Sequence, residues 1–165
     1  MPQQVIFPSG TVDYLFSSSF AEISRYGNKE HIIIVTNEHL AQLYANLLRG
    51  YKMLVLPPAE SSKDMTTISA LSEQLLQLEA PRKTMLGGVG GGVITDITGF
   101  LASVYMRGVQ FGFVPTTILG MVDAAIGGKN GVNLGMNKNV LGTITQPKFI
   151  LFDYKFLDTL PDDEW

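Results

Sequence analysis

The stretch Met85-Leu86-Gly87-Gly88-Val89-Gly90-Gly91-Gly92-Val93-Ile94-Thr95-Asp96-Ile97-Thr98-Gly99-Phe100 decides the fold. An apolar run enters it and glycines interrupt it. Val93, Ile94, Ile97, Phe100 and Leu101 then recur at helical spacing, so the stretch reads as strand, tight turn, helix. Gly90, Gly91 and Gly92 carry no Cβ, which permits positive φ and lets an anion such as a pyrophosphate approach the N–H groups at the helix start. The helix dipole favours negative charge at the same place. The spacing departs from the common dinucleotide fingerprint. Thr95 stands where a third glycine belongs, and Gln110 to Pro115, about 20 positions on, is uncharged.

Around this turn lie 165 residues, 45% hydrophobic and 16% charged, with 17 glycines, a composition that fits a single globular α/β domain. The net charge of −3 gives no electrostatic footprint for nucleic acid or an anionic membrane. There is no cysteine, hence no disulfide framework and no thiolate metal site. The first residues lack a basic and then apolar leader, and no stretch approaches the roughly 18 apolar residues of a membrane helix. A cytoplasmic, unexported protein is expected.

Upstream, Val5 to Phe7 and Val12 to Phe16 read as short strands broken at Pro8-Ser9-Gly10, and Ser17 to Ser19 offer N-caps for a short helix through Phe20, Ile23 and Tyr26. His31 to Thr36 is a continuous β-branched run, the mark of a strand buried on both faces. A helix is expected over Leu40–Leu48, a strand over Met53–Leu56 stopped by Pro57-Pro58, and a helix from Met65 or Thr66 to Leu78. That helix turns Ile68, Leu71, Leu75, Leu76 and Leu78 to the sheet. Thr84 to Val89 is the next strand. The alternation predicts an α/β fold with an open, mostly parallel sheet and helices on both faces.

Downstream, a helix from Ile94 to Tyr105 leads through Arg107-Gly108 to a strand over Gln110–Val114. Pro115-Thr116-Thr117 then leaves the carboxyl end of that strand, where open α/β sheets bind ligands. From Leu119 to Asn139 a mostly apolar stretch contains isolated Asp123, Lys129, Lys138 and several asparagines, a pattern that lines a site. Phe149 to Asp153 reads as a last strand and Phe156 to Leu160 as a short turn or helix. The closing Asp162-Asp163-Glu164 is read as a solvated acidic run.

Gly90-Gly91-Gly92-Val93-Ile94-Thr95-Asp96, Tyr105-Met106-Arg107-Gly108, Val114-Pro115-Thr116-Thr117, Asp123, Gly127-Gly128-Lys129-Asn130-Gly131, Lys138-Asn139 and Gln146-Pro147 come in the order and spacing of the 3-dehydroquinate synthase family, which the chain resembles from about residue 30 onward. Glu60-Ser61-Ser62-Lys63 is similar to that family's Glu-x-x-Lys loop. The resemblance implies a Rossmann-like NAD-binding domain over residues 1–165, with a C-terminal helical metal-binding domain absent from this chain, which alone is expected to be inactive. It implies a cofactor cradle of Pro58, Ala59, Glu60, Ser61, Ser62 and Lys63, of Gly92, Val93, Ile94, Thr95 and Asp96, of Thr116 and Thr117, and of Lys129, Lys138, Phe156, Leu157, Asp158 and Thr159. It further implies Asp123 as acceptor of a substrate hydroxyl, and Lys129, Lys138 and Asn139 on the substrate. Arg107 would be given to the substrate phosphate of the neighbouring subunit in a homodimer.

The implied reaction converts the phosphorylated sugar acid 3-deoxy-arabino-heptulosonate 7-phosphate to 3-dehydroquinate and phosphate, in the shikimate pathway. NAD takes and returns a hydride, and a divalent zinc or cobalt polarises the oxygen being oxidised. The family's metal ligands are a glutamate and two histidines. His31 and His39 both precede the glycine turn and are read as structural or surface residues, so no metal ligand is assigned here. Asn37 and His39 stand where the family has an aspartate and an asparagine for the adenosine ribose, which leaves adenosine binding open. Another sugar-phosphate cyclase, such as 2-deoxy-scyllo-inosose synthase, and a non-catalytic nucleotide-binding module are the alternatives. The iron-dependent alcohol dehydrogenases share the architecture but not the Arg107-Gly108 and Gly127-Gly128-Lys129 blocks.

Overall fold

The computed structural model describes residues 2–57 and 60–161, and its strands follow the apolar runs of the sequence. They are β1 (Gln3–Phe7), β2 (Gly10–Leu15), β3 (Ile32–Asn37), β4 (Lys52–Leu56), β5 (Met85–Gly90), β6 (Gln110–Pro115), β7 (Lys129–Leu134), β8 (Asn137–Ile144) and β9 (Phe149–Leu151). The helices are α1 (Glu38–Leu43), α2 (Ala45–Leu48), α3 (Met65–Gln77) and α4 (Gly92–Val104). Short 3-10 segments cover Phe20–Tyr26 and Tyr154–Thr159.

Seven strands form one sheet in the order β1-β2-β9-β6-β5-β3-β4, parallel throughout except for the β1–β2 hairpin at its edge. β3 explains the continuous apolar run. Ile33 and Val35 join Leu86, Ile68, Leu71, Ile97 and Leu101 under α3 and α4, while Ile32 and Ile34 join Phe20, Ile23, Leu48, Val89 and Phe156 on the opposite face. Each large aliphatic side chain buried in this way contributes about 1.5–3 kcal/mol.

Four features depart from the sequence reading. The helix expected over Leu40–Leu48 begins earlier, where Asn37 Oδ1 accepts the Leu40 amide at 2.8 Å, and breaks at Tyr44. There φ is −109°, and the ring meets Phe156 edge-on, 4.7 Å between centroids. In α3, Leu76 is 60% exposed, because neighbours 100° apart cannot both face the sheet and Leu75 takes the core position. The segment from Lys129 to Ile144, for which no element was expected, is the antiparallel β7–β8 hairpin lying over α4. No glycine from Gly87 to Gly92 has a positive φ.

The chain leaves β3 toward β4 and leaves β5 toward β6, opposite directions along the sheet. The β3/β5 boundary is therefore the topological switch point, and the carboxyl ends of these strands, Asn37 and Gly90, open a crevice there. Among the described residues no helix is long and apolar enough to cross a membrane.

Candidate functional site

The crevice is a cleft of about 560 Å³ between the ends of β3, β4, β5 and β6. Its wall at β5 is the glycine turn, and close packing, in place of positive φ, accounts for the glycines. A Cβ on Gly90 would stand 2.5 Å from Ile94 Cγ1, and one on Gly91 3.1 Å from Thr117 Cγ2. Bare backbone here lets α4 start directly against the strand ends. The Thr116 amide donates to Gly90 O at 3.1 Å, which fixes the β6 exit beside the turn.

Gly91 is the N-cap of α4 and has no side chain with which to cap it. The first helical amide with an internal acceptor is that of Thr95, bonded to Gly91 O at 3.1 Å. Gly92, Val93 and Ile94 line the cleft, and their amides precede that first bond. Uncapped amides at the positive end of a 13-residue helix form a site for an anion. Thr116 and Thr117 line the same cleft, as do Glu60, Phe156 and Thr159 from the expected cradle. Asn37 and His39 are in its wall too. Asn37 Oδ1 is already engaged as the α1 cap, which gives this residue a structural reason to be asparagine.

A second cleft of about 530 Å³ lies on the other side of the α4 amino end, between that helix, the π-helical turn Gly120–Ala124 and the β7–β8 hairpin. Asp123, Lys129 and Asn139, three of the residues expected on the substrate, come together in its lining. Asp96, expected in the cofactor cradle, lines this cleft and not the first. Its carboxylate pairs with the Lys63 ammonium at 2.5 Å. Burial pushes the Asp96 carboxyl above its usual range, more than the Lys63 hydrogen bond and charge pull it down; Glu60 and Asp123 add to the rise.

Several expected residues lie elsewhere. Lys63 is buried between Asp96 and Asn139 and lines neither cleft; Ser62 is also buried, its hydroxyl donating to Pro57 O at 3.3 Å. Ser61, Thr95, Leu157 and Asp158 line neither. Lys138 is exposed on β8 and lines neither cleft, although Asn139 beside it lines the second. Arg107 follows the far end of α4, in a turn where Met106, Arg107 and Gly108 all have positive φ, and it too is in neither cleft. Pro58, Ala59 and the acidic run Asp162 to Glu164 lie outside the described residues. Sequence reasoning gave no role to Asn130 and Asn133, whose side chains set the hairpin; their signal was the asparagines among glycines and, for Asn130, its place in the Gly127-to-Gly131 block. Leu40 and Leu43 of α1 border the first cleft as well.

Among the described residues no three histidine, aspartate or glutamate side chains come together as metal ligands. His39 is exposed at the first cleft and His31 precedes β3, so these two donors do not make a metal site.

Comparison with known proteins agrees with this geometry. The chain is 46% identical over 136 residues to the 3-dehydroquinate synthase of Pyrococcus furiosus, covering 79% of this chain and 40% of that protein. A crystal structure of 2-deoxy-scyllo-inosose synthase complexed with carbaglucose-6-phosphate, NAD+ and Co2+ superposes with a TM-score of 0.82 at 26% identity, over 99% of this chain and 48% of that one. The 2-epi-5-epi-valiolone synthase of Streptomyces hygroscopicus, with NAD+ and Zn2+ bound, gives 0.75 at 35% identity over 81% of this chain and 40% of that one. The chain spans at most half the length of the curated relatives it matches. The model of the 3-dehydroquinate synthase N-terminal family matches residues 53–165, from β4 through the glycine turn and the hairpin, and the chain belongs to that family.

Proposed function

We propose that the chain is the dinucleotide-binding domain of a 3-dehydroquinate synthase, in which a phosphorylated sugar acid loses phosphate and closes to 3-dehydroquinate. The reaction belongs to the protein that carries both halves, and the metal ligands of that protein belong to the half beyond residues 1–165. A cytoplasmic location goes with this reading. NAD, when bound, supplies a reversible hydride acceptor.

The observation that carries the proposal is the set of three uncapped amides at Gly92, Val93 and Ile94, facing the switch-point cleft. They bind the diphosphate, and the hydroxyls of Thr116 and Thr117 stand beside it. The walls made by Leu40, Leu43 and Phe156 give the adenosine end an apolar surface. Across α4, Lys129 supplies a cation for the substrate phosphate, Asn139 an amide, and Asp123 a carboxylate that accepts a substrate hydroxyl. Arg107 serves the neighbouring subunit of a homodimer; its exposed, left-handed turn away from its own clefts supports that assignment.

Calorimetric titration of the chain with NAD+ tests the cofactor half of this reading. Saturable binding is expected, and no heat at millimolar cofactor would leave a non-catalytic module. Phosphate release from the heptulosonate phosphate tests the protein carrying both halves. The superposition on 2-deoxy-scyllo-inosose synthase over nearly the whole chain keeps a second reading, a cyclase of another sugar phosphate. Product analysis separates the two, since only the first yields 3-dehydroquinate.

A further inference from the structure

Lys63 lies between the loop after β4 and the start of α3, and only 5% of it is exposed. Its ammonium holds partners on two other elements, Asp96 Oδ2 of α4 at 2.5 Å and Asn139 Oδ1 of β8 at 2.6 Å. The backbone of the same segment is tied to the hairpin: Lys63 O accepts the Asn133 amide at 2.7 Å, and Asp64 makes a bridge to Asn133. Asn133 Nδ2 donates to Glu60 Oε1 at 3.4 Å, and Asn133 Oδ1 accepts the Asn139 amide at 2.9 Å.

Asn139 has a φ of 55°. Asparagine tolerates the left-handed region better than most residues, but such a conformation persists only where its surroundings fix it. Here the fixing bonds are the one its side chain accepts from Lys63 and the one its amide gives to Asn133.

One buried ammonium thus joins three elements that serve two clefts. Glu60, three residues earlier, lines the first cleft; Asp96 lies one turn beyond the Gly92–Ile94 amides on α4; Asn139 lines the second cleft. We infer that Lys63 is a positioning residue that transmits occupancy of the first cleft to the β7–β8 hairpin, an inference that rests on that cleft being the dinucleotide seat. A ligand that steadies Glu60 and the amino end of α4 steadies Asp96 and Lys63, and through them Asn139. Because a buried charge is costly unless it stays paired, α4 and β8 cannot move apart without breaking the contact.

Amide hydrogen exchange of the wild-type chain and of Lys63→Met, each with and without saturating NAD+, tests this. Without ligand, the amides of Asn139 and its β7–β8 neighbours exchange about tenfold faster in Lys63→Met, the loss expected for one charge-assisted hydrogen bond, while β5 and β6 keep their protection. In the wild type NAD+ slows exchange both at Gly92–Ile94 and in the hairpin; in Lys63→Met it slows only the former. Unchanged hairpin exchange in the ligand-free variant, or hairpin slowing by NAD+ equal to that of wild type, overturns the inference. If NAD+ leaves Gly92–Ile94 of the wild type untouched, the cofactor reading fails instead, and the ligand-free comparison still decides whether Lys63 holds the hairpin. Should Lys63→Met also lose β5 and β6 protection, Asn139→Gly carries the same expectations, since glycine suits the left-handed φ and removes only the acceptor of Lys63.

Discussion

Asn130 lies against Gly99 so closely that a Cβ on Gly99 would overlap the Asn130 side-chain amide. Asn130 Nδ2 donates to Gly128 O at 2.8 Å and to Thr145 O at 3.0 Å, joining the two ends of the β7–β8 hairpin. Its Oδ1 has no hydrogen-bond partner among the described residues and faces the bare backbone of α4 instead. The hairpin, and with it one wall of the second cleft, is seated on the helix by an asparagine that only a glycine can receive.

Gly99→Ala therefore lifts the hairpin from α4. Overpacking of this kind costs about 1–3 kcal/mol. The expected outcome is a lower urea midpoint together with faster proteolysis within Lys129–Ile144. A variant as stable and as resistant as wild type would show that the hairpin is seated by something else.

Asn37 combines two tasks, capping α1 and lining the first cleft. Asn37→Ala removes the acceptor for the Leu40 amide and is expected to cost about 1 kcal/mol. Asn37→Asp keeps the cap, adds a charge favoured at a helix N-terminus, and offers a stronger acceptor to a ribose hydroxyl. Thermal melts are expected to drop for the alanine variant only, and calorimetry to show NAD+ affinity in the aspartate variant at least equal to wild type. Weaker cofactor binding by Asn37→Asp would mean that residue 37 does not meet the ribose.

The parallel core was readable because Ile32 to Val35 and Thr84 to Val89 bury both faces, and such strands declare themselves as unbroken apolar runs; Met53 to Leu56, at the sheet edge, is the same kind of run but buries only Leu54 and Leu56. The hairpin was not. Only Asn130, Gly131 and Val132 are buried in the middle of β7, and β8 is mostly exposed, so neither strand carries a two-residue alternation strong enough to read. The first cleft was largely foreseen from the glycine turn and the two threonines, yet for a partly mistaken reason, since Gly90 and Gly91 make room for Ile94 and Thr117 and leave φ negative. What sequence could not convey was the partnership of Lys63 with Asp96 and Asn139, because it joins residues 33 and 76 positions apart whose meeting depends on where the hairpin lies.

Asp96 gives a pH signature. Burial raises its folded-state carboxyl above the ordinary value of 3.8, so between that value and the raised one the folded chain holds a proton that the unfolded chain has lost. The Asp96 contribution to stability is therefore fully present below pH 3.8 and is lost as pH rises through the folded value. Urea titrations of wild type and Asp96→Asn across this range are expected to give a stability difference, wild type minus variant, that falls with rising pH and then levels. A difference that rises would show that the Lys63 ion pair outweighs burial.

The amides at the start of α4 can be tested one at a time, because proline is accepted at the first helical position, where its missing N–H has no intrahelical partner. Gly92 occupies that position, and Gly91 before it has the extended ψ of −165° that a following proline requires. A Cβ at Gly92 meets only Ala124, at an ordinary 3.4 Å. Gly92→Pro should thus leave the fold and its unfolding transition within about 0.5 kcal/mol of wild type, as for a surface substitution, while deleting one donor to the diphosphate. Loss of a hydrogen bond to a charged group, about 1.5–3 kcal/mol, predicts NAD+ affinity lower by at least about tenfold. Gly92→Ala, which keeps the N–H, controls for the added bulk and is expected to bind NAD+ nearly as wild type does. Equal affinity for proline, alanine and wild type would mean that the anion is not held by the Gly92 amide. Equal weakening by both would assign the loss to crowding against Ala124 and not to the donor.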